Sequence, residues 1–273
     1  MAAAVVVTGG FDDIRSHHIR LLEEAANGGE VHVLIQPDAR VKALTGRPPK
    51  FPAEERLYIV QAIRFVKTAR IMSAAADPDV LPALEGLRAS VWIMAEGEVN
   101  EARRRFCAEQ GLELRAVPLE NLRAIPRAAP LRVRPSKRSR VIVTGCFDWL
   151  HSGHVRFFEE AASLGELFVD VGSDDNIRRL KGNFHPLFPQ DERLYLVRAI
   201  RTVAQAFIGS GYGWLDAAPE IARIKPAIYL VNEDGDRPEK RAFCEERGIR
   251  YVVLKRIPRP GLAPRDSTAL RGF

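Results

Sequence analysis

The chain is 273 residues long, 46% apolar and 28% charged, with a formal net charge of +6. That length accommodates two domains with real cores, and no apolar run is long enough to span a bilayer. Three widely spaced cysteines (Cys107, Cys146 and Cys244) exclude a disulfide framework and a zinc cluster. The opening segment lacks a basic stretch before its apolar run, so no signal peptide is read and cytoplasmic residence is expected. Much of the basic excess falls in Arg127–Arg140 (RAAPLRVRPSKRSR), and the remaining charge is mixed in sign along helical segments. Nucleic acid is therefore not an expected partner, whereas anionic phosphates are.

Taken in order, the chain writes one pattern twice. Val5–Ala26 (VVVTGGFDDIRSHHIRLLEEAA) aligns with Val141–Ala162 (VIVTGCFDWLHSGHVRFFEEAA) at an offset of 136. Phe51–Val66 (FPAEERLYIVQAIRFV) aligns with Phe188–Val203 (FPQDERLYLVRAIRTV), and Arg104–Val117 with Arg241–Leu254, both at 137. A period this long makes each copy a domain rather than a solenoid repeat. The expected domains are 1–126, a basic proline-containing linker 127–140, and 141–273.

Within the second copy, a β-branched run, Val141–Thr144, ends at a glycine. An amphipathic helix through Phe157, Phe158 and Ala161 follows, then a buried strand at Leu167–Val171. A loop leads to a helix opening at Pro189, with Asp191 and Glu192 in its first turn. Next come a strand at Ala227–Val231, a helix stopping near Gly248, and a strand at Tyr251–Leu254. Strands alternating with helices predict an α/β protein: two tandem Rossmann-like domains with parallel sheets, related by internal duplication. Ligands then belong at the carboxyl ends of strands, where strand order reverses.

One junction carries chemistry. In Gly145-Cys146-Phe147-Asp148-Trp149-Leu150-His151-Ser152-Gly153-His154, two histidines three apart share a helix face. Gly153 lets a phosphate approach the backbone, and the helix start supplies N–H donors. The segment resembles the HxGH motif of the cytidylyltransferase-like nucleotidyltransferases. The wider GCFDxxHxGH is similar to the phosphocholine, phosphoethanolamine and glycerol-phosphate cytidylyltransferases. The resemblance extends to Lys181, placed in a loop after the second strand, and to Asn232-Glu233-Asp234 at the end of the third. It closes with Lys255-Arg256 and the Ser267-Thr268 helix start.

The resemblance implies transfer of CMP from CTP to a phosphorylated alcohol, with release of pyrophosphate. His151 and His154 would bind oxygens around the α-phosphorus, and Lys181 and Arg256 would hold phosphates. Gly145, Cys146, Phe147, Asp148, Gly153, Glu233, Asp234, Ser267 and Thr268 would contact the nucleotide. Mg²⁺ would accompany the triphosphate. Two alternatives stay open. One is adenylyl transfer from ATP, since Asp174–Gly182 resembles the corresponding loop of heptose-phosphate adenylyltransferases. The other is nucleotide binding without turnover. In the first copy, Arg15 replaces His151, His17 replaces Gly153 and Thr45 replaces Lys181, with only His18 kept. The first copy is thus expected to be degenerate, joined with the second as an intrachain pseudo-dimer.

Overall fold

Short runs of β-branched and apolar residues become ten strands among the described residues of the computed structural model. It describes residues 4–73, 77–82, 88–267 and 269–272. The chain divides into two compact units, 1–125 and 126–273.

The first unit runs β1 (Ala4–Gly9), α1 (Ser16–Ala26), β2 (Glu30–Ile35), α2 (Asp38–Thr45), α3 (Ala53–Gln61) and β3 (Val66–Ile71). It continues through β4 (Val91–Ala95), α4 (Glu101–Gln110), β5 (Glu113–Val117) and α5 (Leu119–Arg123). The second runs β6 (Arg140–Gly145), α6 (Ser152–Ser163), β7 (Glu166–Val171), α7 (Asp174–Lys181), α8 (Gln190–Ala199) and β8 (Val203–Ile208). After it come α9 (Ala218–Ile224), β9 (Ile228–Asn232), α10 (Pro238–Glu246) and β10 (Arg250–Leu254).

Each unit holds one five-stranded sheet with every pairing parallel, ordered β3-β2-β1-β4-β5 and β10-β9-β6-β7-β8. Read from the opposite edge, the second order repeats the first. The registers agree too: Thr8 pairs with Leu34 as Thr144 pairs with Asp170, and Val6 with Trp92 as Ile142 with Tyr229. This is the expected α/β architecture of two Rossmann-like sheets. The central strands are covered on both faces, so Val141, Ile142 and Val143 are wholly buried. Strand order reverses between β6 and β9, which opens a crevice at their carboxyl ends.

Three local expectations are corrected. Residues 174–181, read as a loop, form helix α7, because the Ser173 hydroxyl caps it by accepting the Asn176 N–H at 3.2 Å. Lys181 is therefore the last residue of a helix. The segment 127–140 belongs with the second unit. Leu131 and Val133 pack against its core, the Arg132 N–H donates to Gln205 Oε1 at 2.9 Å, and Arg223 donates to the Leu131 carbonyl at 3.2 Å. The helix start expected at Ser267-Thr268 is a 3₁₀ turn, Ala269–Gly272. Asp266 caps it, its Oδ1 accepting the Ala269 N–H at 3.3 Å. Among the described residues, no helix is long and apolar enough to cross a membrane.

Candidate active site

The crevice at the reversal point is built from the junction outward. His151 takes extended dihedrals (φ −142°, ψ 174°) and becomes the N-cap of α6. Its Nδ1 accepts the Gly153 N–H at 3.1 Å, which leaves the ring proton on Nε2. A Cβ on residue 153 would lie 2.9 Å from the His151 ring, so glycine is required for this close approach. His154, at the third helical position, stacks on His151 with centroids 3.9 Å apart and an interplanar angle of 23°. Phe147 buttresses it edge-on at 5.4 Å. Phe147 itself sits at φ +52°, an uncommon conformation for a bulky residue.

Both imidazoles are held neutral. Burial is the main cause for His151, with the adjacent His154 imidazole and the cations Arg256 and Arg265 further disfavouring a charge on it, and its pKa falls well below the ordinary value. His154 is lowered to about 3, first by burial and then by Arg256 and Lys181, against a hydrogen bond to the Trp149 backbone. His151 Nε2 and His154 Nδ1 are buried without a hydrogen-bond partner among the described residues. Unsatisfied polar atoms at a helix start, between two cations, form a receptor for phosphate oxygens.

A cavity of about 280 Å³ gathers Gly145, Cys146, Phe147, Asp148, His151, Gly153, His154, Lys181, Asp234, Arg256 and Ser267 from the sequence-derived set. A second lobe of about 420 Å³ adjoins it, the two sharing Gly153, Phe157, Asn232, Arg256 and Asp266. Arg256 is fixed at this boundary by Asp234 at 3.1 Å, Asp266 at 3.3 Å and the Arg265 carbonyl at 2.8 Å. Glu233 lies outside the lining, exposed, with its carboxylate 3.5 Å from the Arg256 N–H. Thr268 lies outside the described residues. Asp148 lines the cavity, but its carboxylate accepts the N–H groups of Leu187 at 2.7 Å and Phe188 at 2.9 Å. That carboxylate staples the loop that follows α7 to the site.

Four features escaped the sequence reading. Arg193, fully buried, donates to the carbonyls of Phe188 (2.9 Å), Cys146 (2.6 Å) and Gly172 (2.8 Å), and to Asp174 Oδ1 (2.7 Å). Its signal was the F-P-x-x-E-R-L-Y motif present in both copies. Asp216, Lys240 and the Trp214–Arg237 stack (4.3 Å) line the far end of the first lobe. They come from two segments, 214–216 and 237–240, both far in sequence from the histidine junction, so no local motif announces them.

A family model described as cytidylyltransferase-like matches residues 142–256. The chain is similar to the FAD synthase of Methanopyrus kandleri, 36% identical over 135 residues, which cover 47% of this chain and 86% of the relative. The chain belongs to the cytidylyltransferase-like nucleotidyltransferase family. Another relative, the FAD synthase of Methanocella paludicola, is 37% identical over 133 residues, 48% of this chain and 91% of that protein. Among solved structures, a lipopolysaccharide core biosynthesis protein from Thermoplasma volcanium matches at 28% identity and a TM-score of 0.37. It covers 47% of this chain and 99% of that one. In the family's terms, the matched span contains the paired histidines, Lys181 and Arg256, and stops short of Asp266 and Ser267.

Proposed function

We propose that the second unit transfers an adenylyl group from ATP to a flavin phosphate, forming FAD and pyrophosphate. The observation that carries the reading is the neutral histidine pair at the α6 start, flanked by Lys181 and Arg256, where two lobes meet. A bisubstrate reaction needs two chambers meeting at one phosphate site. The relatives' name supplies the choice of nucleotide: FAD is an AMP unit joined through a pyrophosphate bridge to a flavin mononucleotide. An oxygen of the flavin phosphate attacks the α-phosphorus of ATP in line. The bond from that phosphorus to the bridging β-oxygen breaks, and pyrophosphate carries away the electron pair.

No covalent enzyme intermediate is needed, so the chain's work is positioning and charge neutralisation. His151 Nε2–H and the helix N–H groups bind the non-bridging oxygens as charge builds on them. Neutral imidazoles suit this role because they donate without ionising at neutral pH. Arg256 and Lys181 neutralise the leaving phosphates. Among the described residues, no cluster of three or more metal-binding side chains exists. Asp234 and Asp266 line the cavity and would be the carboxylates that hold an ion accompanying the triphosphate. Bound so, Mg²⁺ would supply further charge neutralisation.

The GCFDxxHxGH segment favours a second reading, cytidylyl transfer to a phosphorylated alcohol. The sequence ranked it first, and the relatives' names reverse that order. Incubation with Mg²⁺ and ATP or CTP, against FMN, glycerol 3-phosphate and phosphoethanolamine, separates the two. FAD with stoichiometric pyrophosphate is expected from ATP and FMN. Pyrophosphate from CTP and glycerol 3-phosphate alone would replace the first reading with the second.

A further inference from the structure

The two units treat one interior position in opposite ways. In the first, Leu34 of β2 pairs in register with Thr8 and is buried, with Met72 packed into the same cluster. In the second, the same register position is Asp170, paired with Thr144 and fully buried. The position of Met72, just past the neighbouring strand, is Gly209. The equivalence shows in the ladder: the Met72 N–H donates to the Ile35 carbonyl (2.8 Å) as the Gly209 N–H does to Val171 (3.3 Å). A Cβ on Gly209 would lie 2.6 Å from Asp170 Oδ1. An apolar pair has thus become an acid with room carved for it. The fold does not require this, because the first unit closes the same space with Leu34 and Met72, and a buried carboxyl is costly.

The acid is wired to the cavity. Both carboxylate oxygens of Asp170 are buried without a hydrogen-bond partner among the described residues, and they lie close enough to the Asp216 carboxyl for the two acids to be paired by a shared proton. Burial raises the Asp170 pKa well above the ordinary value, the charges of Asp216 and Glu220 add to this, and Lys240 opposes it. Asp216 also accepts from Asn176 Nδ2 at 2.8 Å, and it lines the cavity. Lys240, 5% exposed, donates to Thr144 Oγ1 at 3.2 Å, lies 5.6 Å from the Tyr229 ring centre, and lines the same wall. In the first unit, Arg103 lies 5.6 Å from the Trp92 ring centre and closes directly on Asp79 at 2.9 Å.

The geometry points to Asp170 as a positioning residue for acceptor selectivity. It holds the Asp216 carboxylate beside the Lys240 ammonium, so that this donor–acceptor pair reads hydroxyl groups on the organic part of the acceptor phosphate. The inference rests on the proposed transfer reaction: with the reacting phosphate at His151 and His154, the acceptor's chain extends along the first lobe toward Thr144, Asp216 and Lys240. A hydroxyl both donates and accepts, matching a carboxylate next to an ammonium. An alkyl chain would leave both groups desolvated and unpaired, and a quaternary ammonium would face Lys240 and Arg237. Sites built to bind a hydroxyl reject analogues lacking it strongly.

Three full-length proteins test this: wild type, Asp170→Asn, and the double variant Asp170→Leu with Gly209→Met, which copies the first unit's packing. Steady-state rates are measured with ATP against FMN, glycerol 3-phosphate, phosphocholine and butyl phosphate. Wild type is expected to prefer the hydroxylated acceptors to butyl phosphate and phosphocholine by at least tenfold in kcat/KM. Both variants should raise the KM of the hydroxylated acceptors by about tenfold or more and flatten the preference. The KM for ATP should stay within about threefold. Equal shifts in both KM values with an unchanged preference would make Asp170 merely structural and overturn the inference. Unchanged variants would do the same. Wild type turning over none of the acceptors with either ATP or CTP would instead bring down the transfer reading, and this inference with it.

Discussion

His154 is the residue on which the mechanism leans most. Removing one preorganised donor from a site of developing charge costs on the order of 10²-fold or more in rate. His154→Ala should show that loss in pyrophosphate release while keeping its fold, because the side chain stands half-buried at the cavity. His18→Ala should stay within a few-fold of wild type, and the reverse result would put the working site in the first unit. The same side chains make a prediction about acid. His154 and His18 are each lowered from 6.5 to about 3, His18 first by burial and then by His17 and Arg15. Both are therefore neutral in the folded chain, while the unfolded chain protonates them below pH 6.5. The unfolded state then binds more protons, so stability is lost as pH falls from 6.5 toward 3 and is fully present above that window. Melting temperatures should drop between pH 7 and pH 5. His154→Asn and His18→Asn, which do not titrate there, should each flatten part of the drop.

At the scale of elements, the site depends on how loops are tied to the sheet. Arg193 joins the end of β7, the start of α7, the loop after β6 and the start of α8 through one guanidinium. Lysine carries the charge but not the planar fork. Arg193→Lys should therefore lose about 3 kcal/mol or more of stability in chemical denaturation, as broken buried charge contacts do. A loss below about 1 kcal/mol would show that the fork is dispensable. The sequence made the central strands and α6 readable, because both-face burial writes continuous apolar runs and the helix carries a clear apolar stripe. It also made the junction residues readable, since a strand, a glycine and two histidines lie within ten positions of one another. What it hid has physical reasons. β8 (VAQAFI) is an edge strand whose mixed burial breaks the apolar signal. α7 (DDNIRRLK) is only eight residues long and buries just Asn176 and Ile177, so it carries no apolar run, while its Ser173 cap was decisive. The wall formed by Asp170, Asp216 and Lys240 joins positions far apart in the chain, which only the sheet brings together.

For the molecule as a whole, the question is how many nucleotides one chain binds. The first unit keeps the fold and register of the second but spends its site groups locally. Its α1 is N-capped by Arg15, whose backbone N–H donates to His18 Nδ1 at 3.1 Å. The nitrogen corresponding to the unpartnered one on His154 is thus already engaged. His17 replaces the glycine that lets His151 lie against the backbone. The Thr45 hydroxyl, standing where the second unit has Lys181, donates to the Val41 carbonyl at 2.8 Å. Asp79 and Arg103 are closed on one another, whereas their counterparts Asp216 and Lys240 line a cavity. Phosphate recognition needs uncommitted groups around the helix start, and in the first unit the His18 nitrogen is filled, the glycine position is occupied by His17 and the lysine position has lost its charge. Calorimetric titration of the full chain with ATP and Mg²⁺ should therefore give one nucleotide per chain. His154→Ala should weaken that single event by about tenfold or more, and His18→Ala should leave it intact. A stoichiometry of two, with one event surviving in His154→Ala, would show that the first unit binds nucleotide through groups other than those of the HxGH site.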